Sequence, residues 1–116
     1  MKLFHNPRCS KSRRAVEFFA NHDINIEIVT YLKNGLSIVE AEEILEKYEG
    51  DISDLLRNSS QLETNNLSKN QQICLLLDNV EHLQRPILLT KLECVIGRPL
   101  ENFAQIHQLS TYFSLN

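Results

Sequence analysis

The sequence predicts an α/β fold: a four-stranded mixed sheet in the order βαβ…ββα, with a helical insertion at about residues 35–83. Three observations lead there. Short apolar runs of strand character occur near residues 2–4, 24–31, 87–89 and 94–96, and a helix-period pattern separates the first two. The last two are joined so tightly that they must pair antiparallel.

Taken in order, Lys2, Leu3 and Phe4 suffice for a short first strand. Ala15, Val16, Phe18 and Phe19 follow at helical spacings, so the polar stretch between them reads as a strand-to-helix loop with Cys9 beside the helix N-terminus. Ile24, Ile26 and Ile28 alternate with polar neighbours, and Val29 and Tyr31 extend the run into a second strand that Asn34-Gly35 breaks. Ser37 with Glu40 forms a capping-box signature before Ala41, Ile44, Leu45 and Tyr48, one face of a helix closed by Gly50. Ile52, Leu55 and Leu56 predict another helical turn or two, with Arg57 at their end. Residues 58–70 read as a loop rich in side chains that bond to their own backbone. The next helix carries Ile73, Leu76, Leu77 and Val80 as its stripe, and Cys74, three before Leu77, is read as core. Arg85-Pro86 introduces the third strand, Lys91-Leu92 turns into the fourth, and Gly97 ends it; Cys94 is read as packing within that strand. Arg98-Pro99 begins a last helix with Leu100, Phe103, Ala104 and His107 on one face, and the residues from Ser110 onward read as a frayed tail.

At 116 residues the chain is expected to form a single domain over 1–116. A net charge of −3 argues against nucleic acid as the main partner, although Arg8, Lys11, Arg13 and Arg14 form a local run of four cations without an acid. That positive charge is read as directed at a small anion. No apolar run approaches a membrane span and the N-terminus lacks a secretory pattern, so a cytoplasmic protein without a membrane partner is expected. Three cysteines, an odd number, argue against a disulfide scaffold, and the spacing of the cysteines and four histidines gives no metal motif. No bound cofactor is expected.

Cys9 is the candidate nucleophile. An unperturbed thiol of pKa ~8.5 is only about 3% ionised at pH 7, and the thiolate is the reactive form. The first-turn N–H groups, together with Arg8, Lys11, Arg13 and a protonated His5, are all expected to favour the anion. A downward shift of two units, about 2.7 kcal/mol, would leave roughly three quarters of the thiol ionised. Asn6, Ser10 and Ser12 are candidate hydrogen-bond donors to an oxyanion held against the sulfur.

The order of elements, with a cysteine at the first strand-to-helix loop, resembles the thioredoxin-like fold. In that fold a proline ahead of the third strand is typically cis and faces the thiol, which implicates Pro86. Five stretches sharpen the resemblance: HNPRCSKSR at 5–13, YL at 31–32, DLLR at 54–57, QRPILLT at 84–90 and VIGRPLENF at 95–103. In this joint order the chain resembles the glutaredoxin-coupled arsenate reductase family over nearly its whole length. The resemblance implies Cys9 as the nucleophile, His5 as the histidine that affects its ionisation, and Arg57, Arg85 and Arg98 as the arginines that hold arsenate and its thiol adducts. It further implies glutathione as co-substrate and glutaredoxin as protein partner. The chain departs from the family in having Asn34-Gly35 for a usual Thr-Pro, a shorter loop at 58–70, and Lys91-Leu92 where the hairpin usually has Gly.

Ser12 stands three after Cys9, where a dithiol thioredoxin or glutaredoxin would have its second cysteine, so an external thiol is expected to resolve any adduct. The same residue argues against a redox-sensing Cys-x-x-Cys adaptor of this superfamily. A cysteine phosphatase would need an arginine six after the cysteine, where this chain has Ala15. A glutathione-dependent thiol oxidoreductase is the alternative reading, since it uses the same nucleophile.

Overall fold

The computed structural model describes residues 1–113. Four strands, β1 (Lys2–Phe4), β2 (Glu27–Val29), β3 (Ile87–Leu89) and β4 (Cys94–Ile96), form one sheet in the order β2-β1-β3-β4. β1 runs parallel to β2 and antiparallel to β3, and β3 pairs antiparallel with β4. This is the expected mixed sheet.

Successive strand residues face opposite sides, so each strand feeds two cores. Leu3, Leu88 and Val95 turn toward α1 (Ser10–Asn21), burying Ala15 and Phe19 against Phe103, Ile106 and Leu109. Phe4, Ile87, Leu89 and Cys94 turn the other way, toward α3 (Ile38–Lys47) and α4 (Lys69–Asp78), where Ala41, Ile44, Ile73 and Leu76 cover them. A short turn, α2 (Tyr31–Asn34), joins β2 to this second layer. Among the described residues, no helix is long and apolar enough to cross a membrane.

The α3 start is the expected capping box: the Glu40 N–H donates to Ser37 Oγ and the Ser37 N–H to Glu40 Oε1, both at 3.0 Å. A second box opens α4, where Ser68 and Gln71 exchange the same bonds at 3.2 and 2.8 Å. Within the expected loop 58–70 there is also a single 3₁₀ turn, Ser59–Gln61.

Several expectations are corrected. Tyr31 is not in the second strand; β2 stops at Val29, and the Thr30 carbonyl accepts from the N–H groups of Lys33 and Asn34, so Tyr31 opens a helical turn. Helix α3 ends at Lys47, before Gly50, because Tyr48 is extended and bridges to Cys94. Cys74 is exposed, since α4 turns Ile73 and Leu76 inward and leaves the next position facing out. The last helix is two 3₁₀ segments, Leu100–Gln105 and His107–Phe113. Three residues per turn put Phe103, Ile106 and Leu109 on the buried side and leave His107 exposed. Nor does the chain fray at Ser110: Phe113 stacks on Phe18 with ring centroids 4.8 Å apart. The last three residues of the expected tail, 114–116, lie outside the described residues.

Gly97 shows how closely the C-terminal segment sits on the sheet, because a Cβ there would overlap the ring of Phe103, which is fully buried. Gly97→Ala should therefore destabilise the protein by about 1–3 kcal/mol, the usual range for overpacking a filled core, measured as a lower urea midpoint.

Candidate active site

The strand register assembles the site. Ile87 pairs with Ile96, and the ladder continues one step as the Gly97 N–H donates to the Pro86 carbonyl at 2.8 Å. Arg85 and Arg98 are thus opposite each other at the open end of the β3–β4 pair. Phe4 pairs with Ile87 from the other side, which brings the loop after β1 to the same end of the sheet. Both Arg85-Pro86 and Arg98-Pro99 are cis peptides, the first as the fold resemblance implies.

That loop holds Cys9 by bonds its own residues make. The His5 N–H donates to the Val29 carbonyl at 2.9 Å, extending the β1–β2 pairing past the strand. Asn6 Oδ1 accepts from the Arg8 N–H and the Asn6 carbonyl from the Cys9 N–H, both at 3.0 Å, a side chain to backbone turn typical of asparagine. Cys9 is the N-cap of α1, and no acidic residue stands in the first turn to oppose a thiolate.

Arg98 Nη1 donates to Cys9 Sγ at 3.6 Å and to the Arg85 carbonyl at 3.3 Å, so one guanidinium nitrogen links the sulfur to the opposite strand. Burial works against the thiolate, but the Ser12 N–H, the Arg85 guanidinium and the Lys11 N–H outweigh it and lower the Cys9 pKa below the ordinary thiol value. The other two thiols differ. Cys94 is buried and its pKa is pushed up to about 12 by that burial, which Lys47 only partly opposes. Cys74 is exposed on α4.

His5 does not serve as a cation beside the sulfur. It is buried, and burial together with the Arg13 charge lowers its pKa, so the ring is neutral at pH 7. Its Nδ1 lies 2.7 Å from Ser12 Oγ, which also accepts from the Asn6 N–H at 3.0 Å. With that lone pair taken, the Ser12 hydroxyl proton is free to point at a neutral Nδ1. His5 is thus hydrogen-bonded to Ser12, whose own N–H favours the Cys9 thiolate. The cations Arg8, Lys11 and Arg13 are exposed on the surrounding surface, as is Ser10 at the first position of α1.

Arg57 reaches the same end of the sheet by another route. Leu56 forms an antiparallel bridge with Leu83, the Arg57 N–H donates to the His82 carbonyl at 2.7 Å, and the side chain is exposed at the rim. Its charge, like those of Arg85 and a Cys9 thiolate, acts on the buried hydroxyl of Tyr31. None of Arg57, Arg85 and Arg98 is paired with a carboxylate among the described residues. Arg85 Nε is buried without a partner. Guanidinium donors left free around a thiolate can hold a tetrahedral oxyanion in bidentate fashion and present it to the sulfur. A cavity of about 310 Å³ runs along β4, lined among others by Tyr48, Cys94, Ile96 and Asn102 but by neither Cys9 nor the three arginines.

Two residues gain importance over the sequence reading. Ser12 is fully buried and locks the loop; its spacing to Ala15 and Phe19, all on the sheet-facing side of α1, is the signal that could have found it. Tyr31 is marked in the sequence only as part of the YL stretch at 31–32; its periodicity does not show its place, which depends on where β2 ends.

Residues 4–106 match the sequence model of the ArsC family. The chain is 34% identical over 113 residues to an arsenate reductase of Neisseria meningitidis serogroup A, covering 91% of this chain and 97% of that protein. A solved structure from Yersinia pestis is 30% identical with a TM-score of 0.75, covering 90% of this chain and 98% of its own. The solved arsenate reductase of Vibrio cholerae, 22% identical, shares the fold with a TM-score of 0.73 over 93% of this chain and 97% of that one.

Ser12→Ala should leave the Asn6 N–H and His5 Nδ1 without their buried partner. A loss of about 1–3 kcal/mol is expected by urea denaturation, together with a Cys9 that reacts more slowly with iodoacetamide at neutral pH.

Proposed function

The chain belongs to the ArsC family, and from that membership and the geometry of the site we propose that it is an arsenate reductase. The observation that carries this reading is a Cys9 sulfur held by Arg98 at 3.6 Å and flanked by Arg85, with guanidinium donors that no carboxylate occupies among the described residues. Arsenate would take the place of the missing carboxylates, bound by Arg85 and Arg98 and reached from the rim by Arg57. Asn6 keeps the loop in shape for this, and Ser10 borders the entrance.

The Cys9 thiolate attacks arsenic, a sulfur–arsenic bond forms, and one arsenate hydroxyl leaves with a proton taken from solvent, as water. Glutathione thiolate then attacks the Cys9 sulfur, and the electron pair of the sulfur–arsenic bond stays with arsenic. Arsenic is reduced from the pentavalent to the trivalent state and departs as arsenite, while Cys9 is left as a mixed disulfide with glutathione. Glutaredoxin returns it to the thiol by exchange, its own thiol taking the glutathione.

Support for an external thiol comes from what surrounds Cys9. Ser12 occupies the position of a resolving cysteine and its hydroxyl is committed to Asn6 and His5. Cys94 lies four residues before Arg98 along the same chain, roughly 13 Å at strand rise, and is buried with a raised pKa. We place the reaction in the cytoplasm, where a reduced glutathione pool is maintained.

Arsenate-dependent NADPH consumption with glutathione, glutaredoxin and glutathione reductase tests the cycle. Cys9→Ser and omission of either thiol component should bring turnover to background. Arg85→Ala should raise KM for arsenate by about tenfold or more, as expected for a lost charge-assisted bond. Absence of turnover from folded protein with a reactive Cys9 would move the assignment to a thiol oxidoreductase.

A further inference from the structure

Tyr31 has no part in the chemistry above, yet it is completely buried at the sheet end that carries Cys9. A phenylalanine would fill the same space, so the informative group is the hydroxyl. Its Oη donates to the Leu83 carbonyl at 3.4 Å, the long end of a hydrogen bond. Burial raises its pKa, so at neutral pH it is a protonated donor.

Leu83 is the point at which the two arginine-bearing arms meet. Leu56 bridges to it, and on either side the Arg57 N–H donates to His82 and the Gln84 N–H to the Leu55 carbonyl at 2.8 Å. Arg57 makes the last bond of this short ladder on one arm, and Arg85 is two residues beyond Leu83 on the other. A tie from the end of β2 to the Leu83 carbonyl therefore anchors both arms to the strand layer that also places Cys9, since His5 is bonded to Val29 two residues before Tyr31.

We propose that Tyr31 is a positioning residue, whose hydrogen bond to the Leu83 carbonyl sets Arg57 and Arg85 at the spacing about Cys9 that an oxyanion requires. The inference rests on the oxyanion site proposed above and assigns the hydroxyl to anion affinity through the placement of Arg57 and Arg85.

The test is Tyr31→Phe, which keeps the ring and removes the hydroxyl. Arsenate and phosphate, a non-reducible analogue, are each titrated for protection of Cys9 against iodoacetamide, and KM and kcat are measured separately. The expected result is half-protection at about three- to tenfold higher anion concentration, with KM raised by a similar factor, the effect of one ordinary hydrogen bond. The expected kcat stays within about twofold of wild type, and the alkylation rate without anion, to which Arg85 contributes through the Cys9 thiolate, is the baseline against which each variant's protection is scored. A double-mutant cycle supplies a second measurement: in an Arg85→Ala background the added Tyr31→Phe should cost clearly less affinity, because one of its two targets is gone. Unchanged protection and KM in Tyr31→Phe, additive losses in the cycle, or a loss confined to kcat or to the urea midpoint would each overturn the proposal. If the wild type is protected by neither anion, the oxyanion site itself fails, an outcome distinct from a protected wild type that Tyr31→Phe matches.

Discussion

The antiparallel register of β3 and β4 is the constraint on which the site depends. With Ile87 opposite Ile96 and the Pro86 carbonyl taking the Gly97 N–H, Arg85 and Arg98 are brought face to face, and neither could be moved by one residue without reversing which core the strand side chains enter. Leu88 and Val95 would leave the α1 side, and Ile87 and Leu89 would leave the side covered by α3 and α4. The energy that holds two guanidinium groups beside one thiol thus comes from the burial of these apolar strands. Like charges placed together need such external support, and here an anion is what would relieve them.

At the sulfur the outcome is decided by competition. Burial alone would give Cys9 the fate of Cys94, a thiol held in its neutral form. What separates the two is the helix start and the arginines, which offer donors to Cys9, whereas Cys94 has only Lys47 opposing its burial. The neutral His5 adds no charge; with Ser12 and Asn6 it keeps the loop in a shape that presents those donors.

Much of this was legible in the sequence where the cause is local. The capping box at Ser37 and Glu40, the cysteine beside a helix start and the tight β3–β4 connection each follow from neighbouring residues, and the structure contains all three. The same local signal stands at Ser68 and Gln71, where it opens α4. Errors arose where tertiary packing chose between local options. Tyr31 continues an apolar run but turns helical because Thr30 accepts two backbone bonds, and the C-terminal segment adopts three residues per turn because Phe103, Ile106 and Leu109 then all reach the core. For the site, residue types and a family resemblance pointed to Cys9 and the arginines, while Ser12 meets partners six and seven residues away in the folded loop and the Tyr31 contact with Leu83 spans 52 residues.

The most direct test of the central claim, that guanidinium and backbone donors shift Cys9 toward the thiolate, is titration of thiolate absorbance near 240 nm in wild type, Cys9→Ser and Arg85→Ala. The account predicts a wild-type transition below the ~8.5 of a free thiol, its loss in Cys9→Ser, and a move to higher pH in Arg85→Ala. A wild-type transition at or above the free-thiol value, or one that Arg85→Ala leaves in place, would contradict it.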